Sequence, residues 1–146
     1  MGTRMSTSAA CRLPARMDCL VQAVAHVEAF CAAHGVPDDD RLRLTLFVEE
    51  LFTNTVTHGH RGDSDAPVHI ALTATPAEWL LRYDDSAPPF DPLARAAQLQ
   101  GELDLGFDQR PVGHLGLPLL VQMAHRVAYR REHGLNRLEL ALRRGA

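Results

Sequence analysis

The stretch RLRLTLFVEELFTNTVTHG, Arg41 to Gly59, decides the fold. At about 100° per residue, Leu44, Phe47, Val48 and Leu51 form a core stripe, and Leu42, Leu46, Phe52 and Val56 cover much of the remaining circumference. A helix so apolar is expected to lie buried, yet it carries Glu49, Glu50 and Asn54 in its middle. Glu50 and Asn54, one turn apart, share an edge of the stripe. Taking a carboxylate out of water costs on the order of several kcal/mol unless a cation or hydrogen-bond donors compensate it. The pair therefore reads either as half of a site completed by a metal or ligand, or as a solvated edge with a routine bond between neighbours. Glu49, rotated about 100° away, is the poorer candidate.

Upstream, residues 1–9 read as a flexible tail, and Cys11 to Ala15 as a short edge strand ended at Pro14. Asp18 is placed to cap a helix running to about His34, with Leu20, Val24, Val27 and Cys31 as its stripe. Gly35, Pro37 and the acids Asp38 to Asp40 mark a stop and a restart, and the restarted helix ends at Gly59. Downstream the apolar period drops to two. Val68, Ile70 and Leu72 share one face, as do Trp79, Leu81 and Tyr83 after a turn at Thr75 to Ala77. Asp91 and Pro92 open a short helix to about Gln100, and residues 101–113 read as a mobile loop. A helix from Leu115 to Ala124 follows, then a second hairpin of Val127 and Tyr129 against Leu138, Leu140 and Leu142. This order predicts an α+β fold: a two-layer sandwich whose mixed, mainly antiparallel sheet carries its helices on one face. Residues 10–146 make one domain, since 146 residues bury one core comfortably and not two.

Composition removes several function classes. A net charge of −3 and a pI near 6.2 supply no basic field for nucleic acid. All 15 basic residues are Arg. Without Lys there is no Walker A phosphate loop, no Schiff-base chemistry and no eukaryotic-type kinase with its strand lysine. Three scattered cysteines with no CxxC spacing form neither a disulfide framework nor a zinc knuckle, which points to a reducing compartment. No apolar run has the length of a membrane span, and the first ten residues lack a signal-peptide core, so a cytoplasmic location is expected. His58 and His60 form an HxH pair without a third ligand nearby, which disfavours zinc.

Three constellations carry chemistry. Asn54 offers a neutral oxygen for Mg²⁺ and Glu50 can accept a proton from a hydroxyl or water. Strand alternation turns Asp85 inward with Trp79, Leu81 and Tyr83, while Asp84 goes outward with Arg82. An inward Asp85 is placed to accept a hydrogen bond from an exocyclic amine such as that of adenine; an Asp turn leading into Pro88 and Pro89 is the other reading. Gly113, His114, Leu115 and Gly116 lead straight into a helix, where small residues and free amides favour phosphates, although a simple turn has the same composition.

The succession EELFTNTVTHG, DSAPPFDP, RPVGHLGLPLL resembles the ATP-binding signature of the histidine-kinase, gyrase, Hsp90 and MutL superfamily. Within it the chain is most similar to the stand-alone bacterial anti-sigma-factor serine/threonine kinases, over roughly residues 10 to 142. The resemblance implies ATP and Mg²⁺ as cofactors, with Glu50 as base, Asn54 at the metal, Asp85 reading adenine, and Ala87, Gly113, His114, Leu115 and Gly116 around the nucleotide. It implies as partners a small STAS-type anti-sigma-factor antagonist as substrate, a sigma factor, and a second copy in a homodimer. Two departures stand out: Ala87 and His114 occupy positions commonly held by Gly. Arg110 borders the phosphate loop, either near the terminal phosphate or as a solvated loop residue. Alternatives implied by the same likeness are a non-catalytic ATP-binding module that sequesters its partner, or the catalytic half of a split histidine kinase.

Overall fold

The structure, a computed structural model, describes residues 7–91, 94 and 116–145. Strand β1 (Thr7–Pro14) leads through a 3-10 turn (Met17–Cys19) into α1 (Leu20–His34) and then α2 (Asp38–Asn54). The hairpin β2 (Pro67–Ala74) and β3 (Glu78–Asp85) follows, and after the undescribed segment come α3 (Gly116–Met123), β4 (Arg126–Glu132) and β5 (Leu135–Arg143). The sheet order is β1-β2-β3-β5-β4. The expected two-layer α+β architecture is present, and every described pairing is antiparallel rather than mixed.

One sheet face holds the core. Across β2, β3 and β5, the rows Leu72, Leu81, Leu140 and Ile70, Tyr83, Leu138 stand in register and are buried, as period-two alternation requires. Helix α2 meets them with Leu44, Phe47, Val48, Leu51 and Phe52. Helix α1 closes the other side with Ala23, Val27, Phe30 and Cys31, whereas Leu20 and Val24 of the expected stripe are only half-buried. Gly35 ends α1 in the left-handed region at φ 63°, its N–H donating to the Cys31 carbonyl. The opposite sheet face carries ion pairs such as Arg82–Glu139 and Arg126–Glu78.

Four expectations change. The first strand begins at Thr7, so Thr7 to Ala9 belong to the sheet and not to a tail; pairing with Leu72 to Ala74 supplies the order that their small side chains do not signal. Asp18 does not cap α1. The start of that segment is held instead from the loop before β2, where the Met17 N–H donates to Asp63 Oδ1 at 2.8 Å. Leu42 is 59% exposed, so α2 is broadly amphipathic and not apolar all round. Finally, α2 does not run as a regular helix to Gly59: from Thr55 it widens into a π turn, with the His60 N–H reaching back to the Thr55 carbonyl at 2.9 Å. The helix expected from Asp91 to Gln100 and the loop 101–113 lie outside the described residues apart from Asp91 and Ala94.

Candidate nucleotide site

At one end of the inward sheet face the apolar rows give way to Val68, Asp85 and Asn136, which face one another across β2, β3 and β5. Asp85 is 7% exposed and surrounded by donors. Its Oδ2 accepts from Thr55 Oγ1 at 2.7 Å, and its Oδ1 accepts from Asn136 Nδ2 at 2.8 Å and from the Ala87 N–H at 3.2 Å. Such donors are what a buried carboxylate needs in place of water.

The order of protons follows from the donors available. Thr55 Oγ1 lies 2.6 Å from Tyr83 OH. Burial, with a smaller contribution from Asp85, holds the Tyr83 phenol well above its ordinary pKa against the opposing hydrogen bond to Thr55, so it keeps its proton and donates. Thr55 has a single proton, and the charged acceptor Asp85 competes for it with the Leu51 carbonyl 2.9 Å away. Tyr83, Thr55 and Asp85 thus form a directional chain that fixes which carboxylate oxygen faces the helix.

Asn136 ties this carboxylate to the loop after β3. Its Nδ2 also approaches the carbonyls of Ala87 at 3.1 Å and Pro88 at 3.0 Å, while its Oδ1 accepts from the Phe90 N–H at 3.0 Å and Tyr129 OH at 2.6 Å. Arg131 adds a 2.6 Å bond to the Ala87 carbonyl. The loop 86–90 is therefore held in shape by side chains of β4 and β5.

These groups line a cavity between the end of α2 and the sheet, with Asn54, Gly59, Ala87 and Phe90 on its walls beside Asp85 and Asn136. A Cβ on Gly59 would stand 2.8 Å from the Ala87 Cβ. The helix end and the loop touch so closely that a methyl group fits on one side only, and here Ala87 carries it. Asn54 is 9% exposed, and its Nδ2 has no hydrogen-bond partner among the described residues. An orphaned amide in a cavity wall is an unmet binding capacity.

Of the residues singled out in the sequence, Asn54, Asp85 and Ala87 meet in this cavity. Glu50 does not line it. It sits one turn back along α2, half-buried, and burial, with Glu49 beside it, raises its pKa above the ordinary carboxylate range. Gly116 begins α3; Gly113, His114, Leu115 and Arg110 lie outside the described residues. Sequence reasoning missed Thr55, Tyr83 as a donor, Tyr129 and Asn136. Asn136 had a signal: it has the parity of Leu138, Leu140 and Leu142, so alternation turns a polar side chain inward there.

Asn54, with its neutral amide oxygen in the cavity wall, is the residue that could hold a Mg²⁺ ion carried in by a nucleotide. No group of three His, Cys, Asp or Glu able to hold a metal occurs among the described residues, and Mg²⁺ takes few protein ligands when phosphates and water supply the rest.

A model of the histidine kinase-like ATPase domain matches residues 13–142. The chain belongs to that family. Serine/threonine-protein kinase BtrW of Bordetella bronchiseptica is 35% identical over 101 residues, covering 68% of each chain. At the level of fold, a chain in the crystal structure of the SiaB-SiaC complex from Pseudomonas aeruginosa superposes with a TM-score of 0.56 at 11% identity, over 93% of this chain and 89% of that one. In this histidine kinase-like ATPase domain, the cavity joins two of the three sequence segments that carried the resemblance. No described helix is long and apolar enough to cross a membrane.

Proposed function

We propose that this protein is a cytoplasmic, ATP- and Mg²⁺-dependent serine/threonine kinase of the anti-sigma regulatory type. Its substrate is a hydroxyl on a small STAS-type antagonist protein, and its second partner is a sigma factor. The observation that carries the reading is the meeting of Asn54, from the end of α2, with Asp85, from the end of β3, in one cavity. Similarity to the kinase BtrW supports the choice of activity within the family.

The residues divide the work. Asp85 uses three of its roughly four acceptor positions internally, which leaves one for the exocyclic amine of adenine. Asn136 and Arg131 hold the loop carrying Ala87 so that the base enters a preformed slot. Asn54 is the protein ligand for Mg²⁺, which when bound neutralises phosphate charge; its side-chain amide turns about χ2 to present oxygen. Gly113, His114, Leu115 and Gly116 are the residues we assign to the phosphates. Glu50 takes the proton from the attacking hydroxyl as that oxygen bonds to the terminal phosphorus and ADP leaves with the bridging oxygen's electron pair. The raised pKa of Glu50 makes it a better proton acceptor once it is ionised.

A second reading, ATP-dependent sequestration of a partner without transfer, is favoured by one observation: Glu50 stands outside the cavity wall. Incubation with labelled ATP and an antagonist protein separates the two. A kinase yields acid-stable phosphoserine or phosphothreonine, and its rate falls as pH drops through a value above the ordinary carboxylate pKa, because only ionised Glu50 accepts the proton. Glu50→Gln should reduce transfer by about 100-fold or more while leaving ATP binding in place. Bound ATP with no transfer defeats the kinase reading, and acid-labile phosphate on the product redirects it to a histidine acceptor.

A further inference from the structure

Charge is spread unevenly along the chain. The segment 126–144, which holds β4, β5 and their turn, carries six arginines against Glu132 and Glu139, in a protein whose net charge is −3. Strand β4 is the last in the sheet order, so one of its sides has no neighbouring strand among the described residues.

The turn fixes which backbone groups that side presents. His133 and Gly134 both have positive φ, 56° and 76°, the two-residue hairpin turn that is closed by a hydrogen-bonded pair, here Glu132 and Leu135. The even residues of β4 then bond β5, and Val127, Tyr129 and Arg131 turn their N–H and C=O groups to the free side. The 2.9 Å bond from the Thr75 N–H to the Glu78 carbonyl requires the same phase when it is carried across β3 and β5.

Two arginines flank these groups, one on each face of the sheet. On the outer face Arg130 stands directly opposite Arg137, a like-charge pair that is unfavourable by itself. Glu132 Oε1 serves both, at 3.3 Å and 2.9 Å, and the Arg130 side chain remains 70% exposed. On the inner face Arg131 stands opposite Asn136 and has no carboxylate partner among the described residues; its Nη1 donates to the Ala87 carbonyl at 2.6 Å. A carbonyl is a weaker acceptor for a guanidinium than a carboxylate is.

We propose that the free edge of β4 takes an extended, acidic segment of a protein partner as an added strand, and that Arg131 relays its arrival to the nucleotide slot. The backbone groups of Val127, Tyr129 and Arg131 supply the hydrogen bonds, and alternation sets the segment's side chains beside Arg130 on one face and Arg131 on the other. Acids on both faces of the segment are therefore matched. The same arginines repel a second β4 and any basic strand. A carboxylate beside Arg131 draws its guanidinium away from the Ala87 carbonyl, and the loop 86–90 keeps Asn136 while losing Arg131. Partner and nucleotide then weaken each other's binding by the same factor. This coupling rests on the nucleotide reading above; the docking edge stands apart from it.

Fluorescence anisotropy of a labelled synthetic peptide of Thr-Glu-Glu-Thr repeats, which has acids on both faces when extended, tests the edge on the nucleotide-free full chain. The peptide is expected to bind about tenfold or more tightly than its Lys-for-Glu counterpart, than the same peptide with alternate amides N-methylated, and than single-stranded DNA of equal charge. Arg130→Glu should weaken the peptide by about tenfold and leave ATP affinity unchanged. Saturating peptide should lower ATP affinity by about fivefold in wild type and have no effect on it in Arg131→Ala. No peptide binding at about millimolar concentration, or equal binding of the N-methylated peptide or of DNA, overturns the docking edge. Bound peptide that leaves ATP affinity unchanged, or that still changes it in Arg131→Ala, overturns the role of Arg131. A protein that binds the peptide and no ATP defeats the nucleotide reading, and with it the coupling, while upholding the edge.

Discussion

The middle and the end of the inward sheet face share one backbone pattern and hold opposite chemistry. In the middle, Leu72, Leu81 and Leu140 lie in register, wholly or almost wholly buried, and need nothing but neighbours. At the end, Val68, Asp85 and Asn136 occupy equivalent positions, and the last two are buried, at 7% exposure each. The apolar row is stabilised by exclusion of water, which any well-packed side chain achieves. The polar row is stable only because Thr55, Ala87, Phe90 and Tyr129 supply partners in the right directions. The candidate site lies where the sheet exchanges tolerant packing for a network of directional hydrogen bonds.

The comparison breaks most visibly in the apolar row. Leu81→Ala removes a fully buried side chain and leaves a cavity, with an expected loss of about 2–5 kcal/mol in denaturant unfolding and no altered nucleotide selectivity in whatever remains folded. In the polar row, Asn136→Ala strips donors from Asp85 and acceptors from Phe90 and Tyr129. About 1–3 kcal/mol of stability should be lost, together with a fall in ATP affinity that Leu81→Ala does not produce. Equal effects of the two on binding would erase the distinction between the rows.

A finer probe is the contact between the helix end and the loop. Gly59→Ala places a methyl 2.8 Å from Ala87 and should destabilise by about 1–3 kcal/mol, and adding Ala87→Gly should recover most of it. Recovery in a double-mutant cycle would show that Ala87, a departure from the glycine common at this position, is accommodated by the glycine facing it. Additive losses would mean that the two positions are not coupled.

Much of this was readable from side-chain periodicity. Alternation along β3 separated inward Asp85 from outward Asp84, and the structure leaves the first buried and the second half-exposed. The hairpins and the buried face of α2 followed from the same rule. What escaped had no periodic signature. The π turn after Asn54 shifts hydrogen bonds by one residue, a backbone event that TVTHG does not announce. Strand residues Thr7 to Ala9 are small and polar and acquire their order from β2. Leu42 is apolar and exposed among the described residues, which composition alone cannot foretell. Glu50 illustrates the limit of spacing: four residues bring two side chains to one face of a helix but leave them about 6 Å apart along its axis. Asn54 therefore reaches the cavity and Glu50 stays behind. Asn136 is legible in parity, two residues before Leu138, but a single polar residue at the head of an apolar run carries no other signal.

The central claim is that Asn54 and Asp85 converge on one magnesium-bound adenine nucleotide. Calorimetric titration of ATP into wild type, Asn54→Ala and Asp85→Asn, with and without Mg²⁺, tests it most directly. The account predicts magnesium-dependent binding by wild type, loss of the magnesium dependence in Asn54→Ala, and a fall in affinity of roughly 100-fold or more in Asp85→Asn. Identical, magnesium-independent titrations for all three proteins would contradict it.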